Sequence, residues 1–380
     1  MRPPPLPTPP DTCLRTQVKS LRAVSVSSTS ISALGPEFDR RLMLVRPRPA
    51  PSATAGGVVA VPYGPSDPTH RFVTQRQLPC LATIQASLPA DAGKIVAGGV
   101  GDGTESGGGG RGRSIRLTSS LVPGREAIVD VSDGAVSGYR TRYRAGIWDD
   151  VVDVADVGDE AAGFVADVIA AAAVGGGGEG GGVQPSECDG GGIRVASVLP
   201  GGATVRPLDG RYLPPAALTS LGSVPSTSLN DGFSILIASE SSLAELNRRL
   251  IERGKDPVPM SRFRPNLVIA GTRPFEEDTW RAVRIGGAGG AILHVVKGCP
   301  RCRQSCTDQI TGERYDEPLE TLATFRALNS RNPTDVYFGQ NAVPQVGWGK
   351  SSAAVIRVGD RLEVLTRGEP VWDTDAVRAE

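Results

Sequence analysis

Cys299-Pro300-Arg301-Cys302 sets two thiols around an arginine; Arg264-Pro265-Asn266 precedes it and Phe338-Gly339-Gln340-Asn341 follows it. Of all the segments in the chain, these three combine soft metal ligands, cations and amides in the most ordered way. A thiolate holds a soft transition metal, and a planar guanidinium fork holds phosphate. Together they suggest a metal that arrives attached to an anionic organic cofactor.

Taken one motif at a time, blander readings compete. Cys299-x-x-Cys302-x-x-x-Cys306 reads as part of a zinc or iron–sulfur site, yet such sites need a fourth ligand, from His294 or a distant cysteine. A thioredoxin-like redox pair needs a βαβ context that is missing here. Small buried cysteines at a strand end are as good an account of the motif alone. Arg262 and Arg264 read either as solvated residues at a strand start or as a phosphate clamp. Lys19-Ser20 and Asp39-Arg40 invite the same two readings.

Composition narrows the class. The 380 residues suffice for two domains, and 41 Lys plus Arg balance 41 Asp plus Glu, which argues against broad binding to nucleic acid or anionic membrane. The two histidines, His70 and His294, rule out a three-His zinc site, and neither lies in a nucleophile-elbow context. Six cysteines, three scattered and three clustered, do not resemble a secreted disulfide framework. No signal-peptide core is recognisable, and the longest apolar stretch, 161–174, is too short to span a bilayer. The expectation is a soluble intracellular protein, cytoplasmic or organellar, with mitochondria included because Ser, Thr, Arg15, Lys19 and Arg22 give the N-terminus a targeting-like composition.

The pattern along the chain is mainly short strands with few helices, an α+β reading dominated by β-barrel architecture. Strands are expected at 115–121, 127–131, 193–199, 233–238, 266–270 and 291–296. A closing hairpin is expected from 355–358 and 362–365 around Gly359-Asp360. One helix follows Asp159 and Glu160, with Ala162, Val165, Ala166 and Ile169 on one face. A second is capped by Ser239, buries Leu243, Leu246, Leu250 and Ile251, and stops at Gly254. The Gly-rich tracts 98–112 and 175–192 read as surface-loop insertions, and 286–290 as a flexible turn. Residues 1–12 read as a flexible leader, 13–203 as the first domain, 204–369 as the second and 370–380 as a tail, with a Pro/Gly-rich linker at 200–225.

A set of motifs resolves the competition, matching in islands in the N-terminal half and as a collinear series of eight from Asn230 onward. Val18-Lys19-Ser20, Phe38-Asp39-Arg40, Thr74-Gln75-Arg76, Asn230-Asp231-Gly232-Phe233, 239–250, Arg262 to Asn266, Pro274 to Trp280, Cys299 to Cys302, Thr311-Gly312-Glu313, Glu317 to Leu322 and Phe338 to Asn341 resemble the MOSC proteins. The likeness is to the two-part type, an N-terminal MOSC β-barrel domain followed by a MOSC β-barrel domain, as in the mitochondrial amidoxime-reducing component and its bacterial relatives. Thr16-Gln17 and Leu21-Arg22-Ala23 depart from the family's first motif.

The resemblance implies a molybdenum cofactor, the metal carried on the dithiolene of a phosphorylated pterin. It places Cys302 as the metal ligand, with Cys299 in support. Lys19, Ser20 and Arg40 then match positions around the pterin and its phosphate. Gly232, Phe233, Arg264, Asn266, Pro300, Arg301 and Asn341 match further cofactor contacts, and Asp231 is the carboxylate nearest the chemistry. The implied activity is reduction of N-hydroxylated compounds such as amidoximes and hydroxylamines. Electrons would come from a cytochrome b5-type donor and its NADH-dependent reductase. The alternative is a carrier of the cofactor or of sulfur, like the end domain of cofactor sulfurases, whose pyridoxal-phosphate half has no counterpart in this sequence.

Overall fold

The structure is a computed structural model that describes residues 13–15, 18–48, 67–87, 114–175, 192–200, 204–213, 218, 225–345 and 354–372. The expected leader, most of both Gly-rich tracts and parts of the expected linker and tail lie outside the described residues.

The run Leu42-Met43-Leu44-Val45 explains the first half. It is apolar on both faces because both faces are covered. Met43 and Val45 point into a closed five-stranded barrel with Ala145, Val152, Val154 and Ala196. Leu42 and Leu44 point outward and pack with the helix Asp159–Gly175 through Phe164, Val165 and Val168. That barrel runs Arg142–Ile147, Asp150–Asp156, Arg194–Val198, Leu42–Pro47 and His70–Val73. The helix buries Ala162, Val165 and Ile169 as expected; Ala166 is only half-buried, and Phe164 and Val168 complete the face.

The second half is a half-barrel, an open eight-stranded sheet. Its central strands are Leu267–Ile269, Ile235–Ser239, Tyr337–Pro344, Ala291–Pro300 and Trp280–Ile285, closed inside by Ile235, Ile237, Trp280, Leu293 and Val295. The helix Glu240–Glu252 is capped by Ser239, whose hydroxyl accepts from the Ser242 N–H, and Gly254 follows it at φ +70°. Leu246 and Leu250 are buried, but Ile251 is 61% exposed; it follows Leu250 by one residue, a step that swings it off the stripe.

Two further expectations are corrected. Ala354–Arg357 and Leu362–Arg367 do turn at Gly359, yet they do not pair with each other. The first pairs with Ser28–Ser32 and the second with Trp280–Ile285. The 200–225 segment is not a mere linker: Arg206–Pro207 pairs with Ser226–Thr227, and Leu208 and Leu213 pack on Val296 and Val343. The 286–290 turn is as expected, joining Trp280–Ile285 to Ala291–Pro300 with Gly286 and Gly287 at positive φ.

Candidate functional site

The strand Ala291–Pro300 runs beyond the expected 296 and delivers Cys299 at its end. Its pairing with Tyr337–Pro344 is irregular between Val295 and Lys297 and again between Gly298 and Pro300. Such bulges re-aim side chains beside functional sites. Here Lys297, Cys299 and Arg301, two apart in sequence, all reach one cavity, with Asn341 opposite Lys297. Gly339 allows the neighbouring strand to approach: a Cβ there would stand 2.7 Å from the Ile237 carbonyl oxygen, and its φ is +77°.

The cavity has a volume of about 340 Å³, within the range of small-molecule sites. Every residue that the resemblance placed at the cofactor lines it; Asp39, Arg262, His294 and Cys306 do not. Lys19, Ser20 and Arg40 come from the first half; Asp231, Gly232 and Phe233 from the loop before Ile235; Arg264 and Asn266 from the turn before Leu267; and Pro300, Arg301, Cys302 and Asn341 from the floor. Arg76, Trp148, Leu236, Phe263, Lys297, Cys299 and Gln304 complete the wall. Trp148 and Lys297 carry no local motif. Arg76 was not among the expected site residues; it sits in the Thr74-Gln75-Arg76 motif, which is the signal that could have marked it.

Six cations, Lys19, Arg40, Arg76, Arg264, Lys297 and Arg301, face a single lining carboxylate, Asp231. Lys19 is buried, donating to Asp231 Oδ1 and the Leu229 carbonyl, both at 2.7 Å. Burial lowers its pKa to about 8 against the pull of Asp231. Asp231 lies at the mouth with its side chain 51% exposed. The surrounding protein works to raise its pKa, but Lys19, Arg76 and Arg40 outweigh that and hold it well below the usual carboxylate range. Arg264 is buried and donates to Gln309 Oε1 at 2.9 Å; burial, helped by Arg40, lowers its pKa to about 9. Arg40 is tied to the buried Asp39. The solvated reading of Arg262 and Arg264 is therefore corrected: Arg262 is also buried, 3.2 Å from Asp308.

Backbone strain concentrates here. Six non-glycine residues among those described have positive φ, and four of them, Ser20, Arg40, Trp148 and Arg264, line this cavity. Such conformations persist only where the surroundings impose them.

The two thiols are not equivalent. Cys299 Sγ accepts from Arg301 at 3.0 Å, while Cys302 Sγ accepts from Arg76 Nε at 3.3 Å. Cys306 is buried, with its sulfur 3.3 Å from the Asp316 carbonyl oxygen. Among the described residues no three His, Cys, Asp or Glu side chains cluster as metal ligands, so a zinc site of the kind the three cysteines suggested does not form there. His294 is half-buried, on the strand that pairs with Ala282 and Val343.

Residues 225–363 match the family model of the MOSC domain, and residues 17–106 that of the MOSC N-terminal beta barrel domain. The chain is a MOSC-domain protein. It is similar to the mitochondrial amidoxime reducing component 2 of Bos taurus, 42% identical over 93 residues, covering 24% of this chain and 26% of the relative. The mitochondrial amidoxime-reducing component 1 of Xenopus laevis is 37% identical over 140 residues, 36% of this chain and 38% of the relative. The molybdenum cofactor sulfurase of Oryza sativa subsp. japonica is 36% identical over 134 residues, 32% of this chain and 16% of the relative. These matches span well under half the length of each curated relative. No helix among the described residues of this MOSC protein is long and apolar enough to cross a membrane.

The lining suits the cofactor associated with MOSC proteins. An anionic, phosphorylated pterin would meet an excess of cations, two of them buried, a soft metal would meet a soft thiol, and Arg301 Nε is buried without a hydrogen-bond partner.

Proposed function

We propose that this MOSC protein holds a molybdenum–pterin cofactor in the cationic cavity and reduces N-hydroxylated compounds, with Cys302 as the metal ligand. The observation that carries this reading is the combination of six cations and an accessible cysteine around a single carboxylate. Lys19, Ser20, Arg40 and Arg264 would hold the phosphate end, where charge-assisted hydrogen bonds are strongest. Asn266, Arg301 and Asn341 would contact the ring system, and Gly232, Phe233 and Pro300 would shape the wall. When bound, the group supplies the two-electron chemistry that breaks an N–O bond.

The chain's own share is binding and orientation. Asp231 is ionised at neutral pH and accepts from Lys19 Nζ and, at 3.2 Å, from Trp148 Nε1. Lys19 is the proton-bearing member of the pair, so Asp231 orients the ammonium toward the cofactor's phosphate rather than donating a proton itself. Electrons would enter from a cytochrome b5-type donor served by an NADH-dependent reductase. A second reading, a carrier of the cofactor or its sulfur, draws on the likeness to molybdenum cofactor sulfurases.

The test is expression in a host that makes the cofactor, followed by molybdenum content and pterin fluorescence of wild type, Cys299→Ser and Cys302→Ser. Near-stoichiometric molybdenum, retained in Cys299→Ser and disturbed in Cys302→Ser, is expected. Zinc without pterin in the wild type would overturn the assignment. Turnover of benzamidoxime with added cytochrome b5 and reductase is expected of the loaded protein; its absence favours the carrier.

A further inference from the structure

Arg76 reaches Cys302 from the other half of the fold. It stands in a turn fixed at every side: Thr74 N–H and Oγ1–H both donate to Gln77 Oε1, at 2.8 and 2.9 Å. Gln75 exchanges amide hydrogen bonds with Gln309 at 3.2 and 3.0 Å. Arg314 donates to the carbonyl oxygens of both Gln75 and Arg76. The backbone of Arg76 is thus bound to the loop that follows Cys302.

Its side chain is equally constrained. The guanidinium lies 4.7 Å over the Trp148 ring, its terminal nitrogen is 4.0 Å from Asp231 Oδ2, and its Nε–H points at Cys302 Sγ from 3.3 Å. Trp148 is itself held at φ +55°, with its ring edge-on to Phe72 at 5.3 Å and its Nε1–H on Asp231. A guanidinium that stacks on an indole while presenting one N–H is a use of arginine that lysine cannot reproduce.

We propose that Arg76, clamped on Trp148, is a positioning residue that fixes the direction of the Cys302 sulfur and keeps a positive charge against it. Its functional meaning rests on the reading of Cys302 as the metal-bearing thiolate; the contact itself does not. The N-terminal barrel thereby completes the sulfur's surroundings, which the second half alone leaves open on that side.

The charge beside a sulfur is measurable without any cofactor. In full-length Cys299→Ser protein prepared free of pterin, Cys302 is alkylated at low ionic strength with anionic iodoacetate and with neutral iodoacetamide, and followed by peptide mass spectrometry. Both reagents consume the same thiolate, so the ratio of their rates cancels its population and reports the local charge. We expect Arg76→Gln to lower the iodoacetate-to-iodoacetamide ratio at least threefold. Trp148→Ala should lower it less, as the guanidinium loses its platform, and added salt should shrink all differences. Arg76→Lys, which preserves charge, should restore most of the ratio yet not the pterin retention of cofactor-loaded protein. A merely structural Arg76 would leave the ratio unchanged in Arg76→Gln and Trp148→Ala alike, and that result overturns the inference even if wild type carries molybdenum. A lowered ratio in either variant supports it even if wild type carries none, which would overturn the proposed function alone.

Discussion

Asn266 and Leu236 bond to each other twice, once through backbone and once through a side chain. Asn266 N–H donates to the Leu236 carbonyl at 2.8 Å, and Leu236 N–H donates to Asn266 Oδ1 at 3.0 Å. The amide thus takes the place of a strand partner just where Leu236 meets the cavity. Asn266→Ala leaves a buried N–H without an acceptor and is expected to cost about 1–3 kcal/mol. Urea unfolding of the variant checks this; an unchanged midpoint would show that the pair is dispensable.

Glu277 predicts a pH dependence of stability. It is fully buried, accepts from Ser242 Oγ at 2.8 and 3.0 Å, and is pushed up to about 7 by burial. Because its folded pKa exceeds its unfolded value, the folded state binds the extra proton between the two. The stability it contributes is fully present below the ordinary glutamate range and is lost as pH rises through about 7, by on the order of 3 kcal/mol. Glu277→Gln should flatten the profile across pH 5 to 8. An equally steep profile in the variant would count against this assignment.

Arg326 and Asp278 form a buried two-pronged pair at 2.8 and 3.1 Å, and Gln340 Nε2 donates to the same carboxylate at 2.7 Å. Arg326→Met strands a buried carboxylate and should cost about 3–5 kcal/mol. The double variant with Asp278→Leu should lose much less than the sum of the single losses. Additive losses in a double-mutant cycle would mean that the two charges are not coupled.

Gly298 is packed beneath the C-terminal segment. A Cβ there would stand 2.4 Å from the Trp372 ring, while its N–H donates to the Val371 carbonyl at 2.9 Å. Gly298→Ala should destabilise the protein by about 1–3 kcal/mol and shift tryptophan emission to the red as Trp372 is displaced. Trp372→Ala should relieve most of that penalty, since it removes the clashing ring. If the penalty persists at full size, the conflict lies elsewhere.

Cys302, Arg264 and Asn341 sit in compact motifs, but no single motif chose the cofactor reading over the blander ones; the ordered series of motifs did. What the sequence hid is partnership across the fold. Nothing near Trp148 says that Arg76 will lie on its ring, and Lys297 reaches the cavity through an irregular pairing that leaves no local mark. The expected terminal hairpin failed for the same reason. Gly359 does turn the chain, but a turn signal does not specify which edge each arm will join. Ile251 was a matter of phase, one residue beyond a correctly read stripe. Arg206 lies in the segment read as a linker, yet it is buried and reaches Asp150 and the carbonyls of Ser228 and Asn230.

The pairing of Ile31 with Ala354, and of Cys13 with Leu267, bears on how the molecule is made. On the ribosome these first strands emerge well before their partners, so those edges wait unpaired until the second half is made. Non-local contacts of this kind close late and slow folding, and waiting edges are where chains stick to one another. Fragments cut between the two halves would inherit that exposed edge permanently, so the half carrying Lys19 and the half carrying Cys302 are best produced, and inherited, as one chain.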